Sequence, residues 1–335
     1  MALVSGQSAT WLGIINKLDN VAYNVEESET FDGVFESFWA FLVHDEPESF
    51  AIPVGYIADW LVETIQWSHH PLFSVHRETK VICLNAKHDA AKPRGADSQG
   101  SKSLSALVMN LLEHGGVAGF RHLHRKGDRH QILGLQSRID IDRNAAQLFG
   151  IVTTGAHMTC YTRGKSEDGQ MRIWVPRRAF DKTFDPGKLD NTVAGGITNG
   201  DTPLQTILAE AEEEAALSRD FVTENIKATG TLSYFNQCST VEGGHMRPRV
   251  LHTFELELPE DMVPSPHDGE VCEFLRMSAQ EMQEAVMAGE MTEDAAIVWL
   301  GFLIRHGIVD EQSEPDLLQI TGRMHRHLPF PTSKT

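Results

Sequence analysis

The sequence predicts an α/β layered domain preceded by a smaller α+β N-terminal domain. Three observations predict this. From Phe149 onward, strand-like runs flank one strongly helical run, and helical-period segments then close the chain. Before it, helix-like and strand-like stretches mix around a polar segment rich in Gly, Pro and Ser. The 335 residues suit two hydrophobic cores better than one. The boundary falls within 145–152, giving an N-terminal domain over 1–145 and a second over 146–335.

The elements follow in chain order. "VGYIADWLVETIQW" (54–67) spaces its apolar residues as a helix does. "KVICL" (80–84) is a short strand, and "AKHDAAKPRGADSQGSKS" (86–103) a loop. "LSALVMNLLEHGG" (104–116) is a helix stopped by glycine. "HMTCYT" (157–162) and "MRIWVPRR" (171–178) are strands around the turn "RGKSEDGQ". A helix covers 202–217, begun by Asp201 or Thr202 as cap and Pro203 in the first turn. Its buried side takes Leu204, Ile207, Leu208, Ala211 and Ala215. Strands follow at 230–237, 249–258 and 270–278, then helices at 279–289, 294–307 and 315–328.

Composition narrows the function. A formal net charge of -18 opposes sequence-blind binding of nucleic-acid polymers, which rests on neutralising phosphates. A small anionic substrate stays compatible, because a divalent cation reverses the local sign. The 4 cysteines, Cys83, Cys160, Cys238 and Cys272, form no CxxC and are expected as buried thiols. No apolar run is long enough to span a bilayer, and the N-terminus lacks a secretory pattern. The expected location is cytoplasmic; oligomeric state leaves no mark in the sequence.

The chemistry concentrates in "VAGGITNGDTPLQTILAEAEEEAAL" (193–217). A helix turns about 100° per residue. Glu213 therefore lies about -60° and Glu214 about +40° from Glu210, while Glu212 lies about 200° away. Three carboxylates share a face and one does not. Clustered carboxylates repel unless a cation compensates. Mg²⁺ or Mn²⁺ favours such oxygen ligands, in sites shared with substrate phosphates. Gly195, Gly196 and Gly200 permit a tight loop and close backbone approach before the helix.

This pattern resembles the Nudix box, a glycine, five residues, an acid, seven residues, then Arg-Glu-apolar-x-Glu-Glu-x-Gly-apolar. Gly195 takes the first position and Asp201 the first acid. Glu210, Glu213 and Glu214 take the three glutamate positions, and Leu217 the last apolar one. Ala209 stands where the pattern has arginine, and Ala216 where it has the second glycine. The segments 174–200, 254–271, 301–309 and 324–329, with the junction "RNAAQLFGIVTTGAHMTCYT" (143–162), are similar to one branch, the thiamine-pyrophosphokinase-related Nudix hydrolases of fungi and plants. The segment "FRHLHRKGDRHQILG" (120–134) departs from that branch.

The resemblance implies a Nudix α/β/α sandwich with a mixed sheet, after a branch-specific N-terminal domain. It implies Mg²⁺-dependent hydrolysis of a small-molecule diphosphate, here thiamine diphosphate and its oxidised analogues, to the monophosphate. An 8-oxo-dGTP-type nucleotide or a prenyl diphosphate is the alternative substrate, and a non-catalytic binding module the alternative class. Glu210, Glu213 and Glu214 would hold the metal. Glu270 in "DGEV" is a further ligand or base, with Asp268 behind it. Gly195, Gly196, Arg177 and Lys182 would bind substrate phosphate. Trp174, Phe235 and His157 are candidates against its ring.

Other motifs carry less. "GADSQGSKS" (95–103) misses the phosphate-loop pattern, since Ser101 separates the glycine from lysine. The histidines at 69, 70, 122, 124, 130, 325 and 327 lack a metal-binding helix spacing. Arg121, Arg125, Lys126 and Arg129 read as a solvated turn. There is no GxSxG, so a serine nucleophile is unsupported.

Overall fold

The computed structural model describes residues 9–23, 35–44, 52–86, 98–114, 128–164, 170–198, 200–238 and 244–333. Its larger sheet has six strands: β7 (Thr153–Arg163), β8 (Met171–Arg178), β9 (Val193–Gly196), β10 (Lys227–Cys238), β11 (His245–Glu257) and β12 (Val271–Ser278). The order is β10-β11-β7-β8-β12, and β9 pairs with β7. β7 runs parallel to β11 and antiparallel to β8 and β9. It forks: residues 155–158 pair with β9, and residues 161–163 with β8.

Alternation decides the faces. Ala156, Met158, Cys160 and Trp174 pack under the helix Pro203–Ala215 with Ile207, Leu208, Ala211 and Ala215. Tyr161, Ile173 and Val175 face the other way, onto the helix Glu293–Arg305 with Trp299 and Phe302. The result is the expected α/β/α sandwich with a mixed sheet. Leu204 departs from its expected burial, since it is 40% exposed.

The N-terminal part builds a four-stranded mixed sheet, ordered β2 (Gly55–Ala58), β1 (Phe38–His44), β4 (Val81–Asn85), β3 (Phe73–His76), and a two-stranded ribbon of β5 (Arg129–Gln131) and β6 (Asp140–Asp142). Its core includes Phe41, Ile57, Leu61, Ile82, Leu104, Leu107 and Phe149. Trp11, Ile15 and Leu18 of the first helix, Trp11–Leu18, instead join the core around Trp299. Asp19 then ties that helix to the C-terminal end through Arg323 and Arg326, at 3.2 Å and 2.8 Å.

Several expected elements change. The helix over 54–67 is a strand, Gly55–Ala58, followed by a short helix, Asp59–Thr64. Gly55 explains the strand: a Cβ there would stand 2.3 Å from the Phe149 carbonyl oxygen, so the chain passes extended against residues 149–150. The helix expected from 104 begins at Gln99 and absorbs Gly100 and Ser101, which removes the phosphate-loop decoy. The last helix shortens to Leu317–Met324. Residues 87–97, the turn at 165–169, His122, His124, Arg121, Arg125 and Lys126 lie outside the described residues. None of the four cysteines is in a disulfide; Cys83 and Cys160 are buried, but Cys272 is exposed and Cys238 half-buried. Among the described residues no helix is long and apolar enough to cross a membrane.

Candidate active site

The helix Pro203–Ala215 starts cleanly. Thr202 caps it, accepting from the Gln205 N–H, and Gln205 reciprocates on the Thr202 N–H at 2.9 Å. Asp201, the other expected cap, accepts instead from the Thr198 hydroxyl. The helix ends at Ala216 in a left-handed conformation, φ 52°, where the box pattern has glycine.

The glycine pair is not the expected loop. Gly195 and Gly196 lie in β9, opposite Ala156 and Gly155, and the turn follows at Gly200, φ 104°. Close approach is nonetheless the reason for glycine. A Cβ on residue 195 would sit 2.2 Å from the Glu210 carboxylate, and one on residue 196 would sit 1.7 Å from Nη1 of Arg143.

These elements enclose a cleft of about 980 Å³, counting its open mouth. Glu210, Glu213, Glu214, Asp268 and Glu270 line it, with Gly195, Gly196 and Lys182. Eight of the nine residues expected at the metal and phosphate are thus brought together. Glu212 is exposed and outside the lining, as its helical phase requires. Arg177 is the exception. Its Nε donates to Glu273 at 2.8 Å and its Nη1 to the Gly187 carbonyl at 3.0 Å, away from the cleft. The next residue, Arg178, points into it and donates to Asp190 at 2.7 Å. Adjacent strand residues face opposite sides, so this correction is a matter of one residue.

The carboxylates are crowded. Burial, then Glu213 and Glu270, push the Glu210 carboxyl up to about 7. Burial, then Glu210, raise Glu214 well above its ordinary value, although it accepts from the Ala194 N–H at 3.2 Å. Lys182 is ion-paired with Glu270, so the expected phosphate cation and the expected base hold each other.

A divalent cation's fit rests on this donor set: hard carboxylate oxygens, a glycine seat beneath Glu210, and two carboxyls whose ionisation burial, then neighbouring carboxylates, opposes. Glu210, Glu213 and Glu214 would hold it. Among the described residues no three His, Cys, Asp or Glu side chains already form a closed metal cluster. Glu214 turns to a backbone N–H and Glu270 to Lys182, which accounts for the looser arrangement.

A second hollow, about 1100 Å³, opens behind the first. The two share Arg143, Arg178, Phe184 and the Ala194–Gly196 backbone. Its floor is a charge network, half-buried except at the exposed Glu293. Asp294 pairs with Arg249 and accepts from Tyr234; Glu293 pairs with Arg247. Burial pushes the Asp294 carboxyl up, but Arg249, His157 and Arg247 outweigh it and hold it below the ordinary range. His157 lines this hollow, its Nδ1 2.8 Å from the Asn191 side-chain oxygen. Trp174 and Phe235, the other ring candidates, lie in the cores instead. Phe184, 48% exposed at the shared mouth, was not singled out by the sequence reading. Neither was Arg143, which enters from the N-terminal side of the expected boundary; its only signal is "DRNAA", a capped helix start.

The family model of the NUDIX domain matches residues 163–296. The chain is 37% identical to the uncharacterized protein YJR142W of Saccharomyces cerevisiae, over 57% of this chain and 58% of that protein. It is 34% identical to Nudix hydrolase 24, chloroplastic, of Arabidopsis thaliana, over 55% of this chain and 48% of that protein. Nudix hydrolase 20, chloroplastic, of the same plant is 34% identical, over 52% of this chain and 44% of that protein. The chain therefore spans about half the length of the curated relatives it matches.

Proposed function

We propose that this chain, whose residues 163–296 match the family model of the NUDIX domain, is a Mg²⁺- or Mn²⁺-dependent diphosphatase. Its substrate is a small organic diphosphate, with thiamine diphosphate and its oxidised analogues as the leading class. One observation carries the reading. Five carboxylates, Glu210, Glu213, Glu214, Asp268 and Glu270, meet three cationic groups, Arg143, Arg178 and Lys182, in one cleft. A divalent cation balances that excess.

When bound, the cation supplies charge neutralisation for the diphosphate and acidifies water. The chain's own groups do the rest. Glu210 and Glu214 are set by Gly195 and by the Ala194 N–H. Lys182 transfers from Glu270 to a substrate phosphate oxygen, which frees the Glu270 carboxylate to take a proton from water. Water oxygen bonds to phosphorus as the bridging P–O bond breaks, leaving the organic monophosphate and inorganic phosphate. The thiamine assignment draws support from the second hollow. There Phe184 offers a ring face at the mouth, while Asp185, Asp190 and Asp294 are ion-paired with Lys188, Arg178 and Arg249.

The test is a panel with Mg²⁺: thiamine diphosphate, its oxo analogue, 8-oxo-dGTP and a prenyl diphosphate, with Glu213→Gln alongside. The expected result is monophosphate from the thiamine-type compounds, and a loss of about 10²-fold or more in the variant through its weakened metal site. Turnover of the nucleotide alone would replace the substrate class. No turnover by folded protein would make it a binding module, and full activity in Glu213→Gln would remove the metal assignment.

A further inference from the structure

We infer that Arg143 is a further cation, beside Lys182, that contacts substrate phosphate in the cleft, and that Asp128 holds it there, so the site is completed by the N-terminal part of the chain. This rests on the diphosphate reading above and adds a residue that the box and its downstream acid do not contain.

Arg143 lines both hollows, at their junction. Its guanidinium is divided between two tasks. Nε donates to Asp128 at 2.9 Å and Nη2 lies 2.8 Å from the same oxygen. Nη1 is left facing the glycine pair, so close that no side chain fits at 196. Backbone bonds fix the anchor as well, since the Arg143 N–H donates to the Asp128 carbonyl at 3.1 Å. Asp142 caps the short helix Arg143–Ala146 that begins here. A guanidinium oriented this way loses little freedom on meeting an anion, and its fork matches phosphate oxygens.

The other cations of the cleft must each leave a protein partner before meeting an anion. Arg178 is held by Asp190 and by the Phe184 carbonyl, and Lys182 by Glu270. Arg177 points away. Arg219 borders a separate hollow beside Ala209 and Glu210, on the other side of the glutamates. Arg178 shares the junction of the two hollows with Arg143, but both its terminal nitrogens have protein partners, whereas Asp128 engages only Nε and Nη2 of Arg143. A diphosphate held at the carboxylates, with its organic group in the second hollow, passes Nη1 of Arg143.

The test measures binding rather than turnover. Full-length protein with Mg²⁺ is titrated calorimetrically with imidodiphosphate, which resists hydrolysis. Arg143→Ala should weaken binding by about 10- to 100-fold, the scale of a lost charge-assisted hydrogen bond. Arg143→Lys should recover part of this, and Asp128→Asn should fall between wild type and Arg143→Ala. Added guanidinium should restore binding to Arg143→Ala, which a purely structural role would not produce. Mg²⁺ affinity, measured alone, should change less than about threefold. Arg143→Lys keeps the charge and serves if the alanine variant fails to fold. Unchanged imidodiphosphate affinity in Arg143→Ala overturns the inference. So does an equal loss of Mg²⁺ affinity, a loss seen in Arg219→Ala instead, or no binding by wild type. Wild-type protein that binds imidodiphosphate through Arg143, yet hydrolyses no diphosphate, leaves the inference standing and removes the hydrolase reading.

Discussion

Replacing Glu210 by glutamine should stabilise the cation-free protein, by an amount that grows with pH. Burial, then Glu213 and Glu270, lift the Glu210 carboxyl from 4.5 to about 7. Between those values the folded chain keeps a proton that the unfolded chain releases. Stability therefore falls as pH rises from 4.5 to 7, and levels off above. Linkage puts the cost at about 0.8 kcal/mol at pH 5 and about 3.3 kcal/mol at pH 8, using about 1.36 kcal/mol per unit. Glutamine does not ionise and is spared it. Buried histidines act in the opposite direction: burial holds His130 and His245 down to about 4, so they add stability as pH rises toward 6.5. They are common to both proteins and cancel in the difference. Urea unfolding in EDTA at pH 5, 6, 7 and 8 reads that difference directly. The advantage of Glu210→Gln should widen by about 2.5 kcal/mol from pH 5 to pH 8. Saturating Mg²⁺ should then stabilise wild type far more than the variant. A difference that stays flat with pH, or a wild type more stable than the variant at pH 8 in EDTA, would refute the crowded-carboxylate account.

Three further outcomes follow from the same geometry. Gly195→Ala places a Cβ on the Glu210 carboxylate; the side chain must swing away, so Mg²⁺ affinity in calorimetry should drop about tenfold or more while circular dichroism stays native. Ala216→Gly relieves a left-handed alanine and should stabilise by about 1 kcal/mol, seen as a melting temperature higher by about 2–3 °C. Glu212→Gln removes a carboxylate on the solvent side of the helix and should leave diphosphate turnover within about twofold of wild type, in contrast to Glu213→Gln.

The site was legible where its logic is local. Helical phase separates Glu210, Glu213 and Glu214 from Glu212 without any tertiary knowledge, and the structure places them accordingly. Strand period marked 171–178 equally well, but not its register. Whether Arg177 or Arg178 faces the cleft depends on pairing with β12 and on the chain after residue 178. A one-residue choice of that kind inverts every side chain. The helix expected at 54–67 failed for a similar reason: contact with residues 149–150 overrides the local period at Gly55. Arg143 and Phe184 were illegible because nothing near them in sequence reports what they face. One follows a two-stranded ribbon, Arg129–Gln131 with Asp140–Asp142, and the other sits in a connection between β8 and β9.

Ala209 is where sequence and structure together say more than either alone. An arginine there would both brace the glutamate helix and add positive charge. The structure shows the bracing done by other means. Thr202 and Gln205 fix the start of the helix, Ala211 and Ala215 seat it on the sheet, and the Ala194 N–H holds Glu214. What the methyl group leaves is a hollow of about 730 Å³, bordered by Asp201, Gln205, Glu210 and Arg219. The scaffold survives the substitution, so the missing arginine counts mainly as a missing charge. Arg143 bears on that charge directly, because it opposes the upward push on Glu210. Burial, Glu213 and Glu270 still outweigh it, which leaves the Glu210 carboxyl raised.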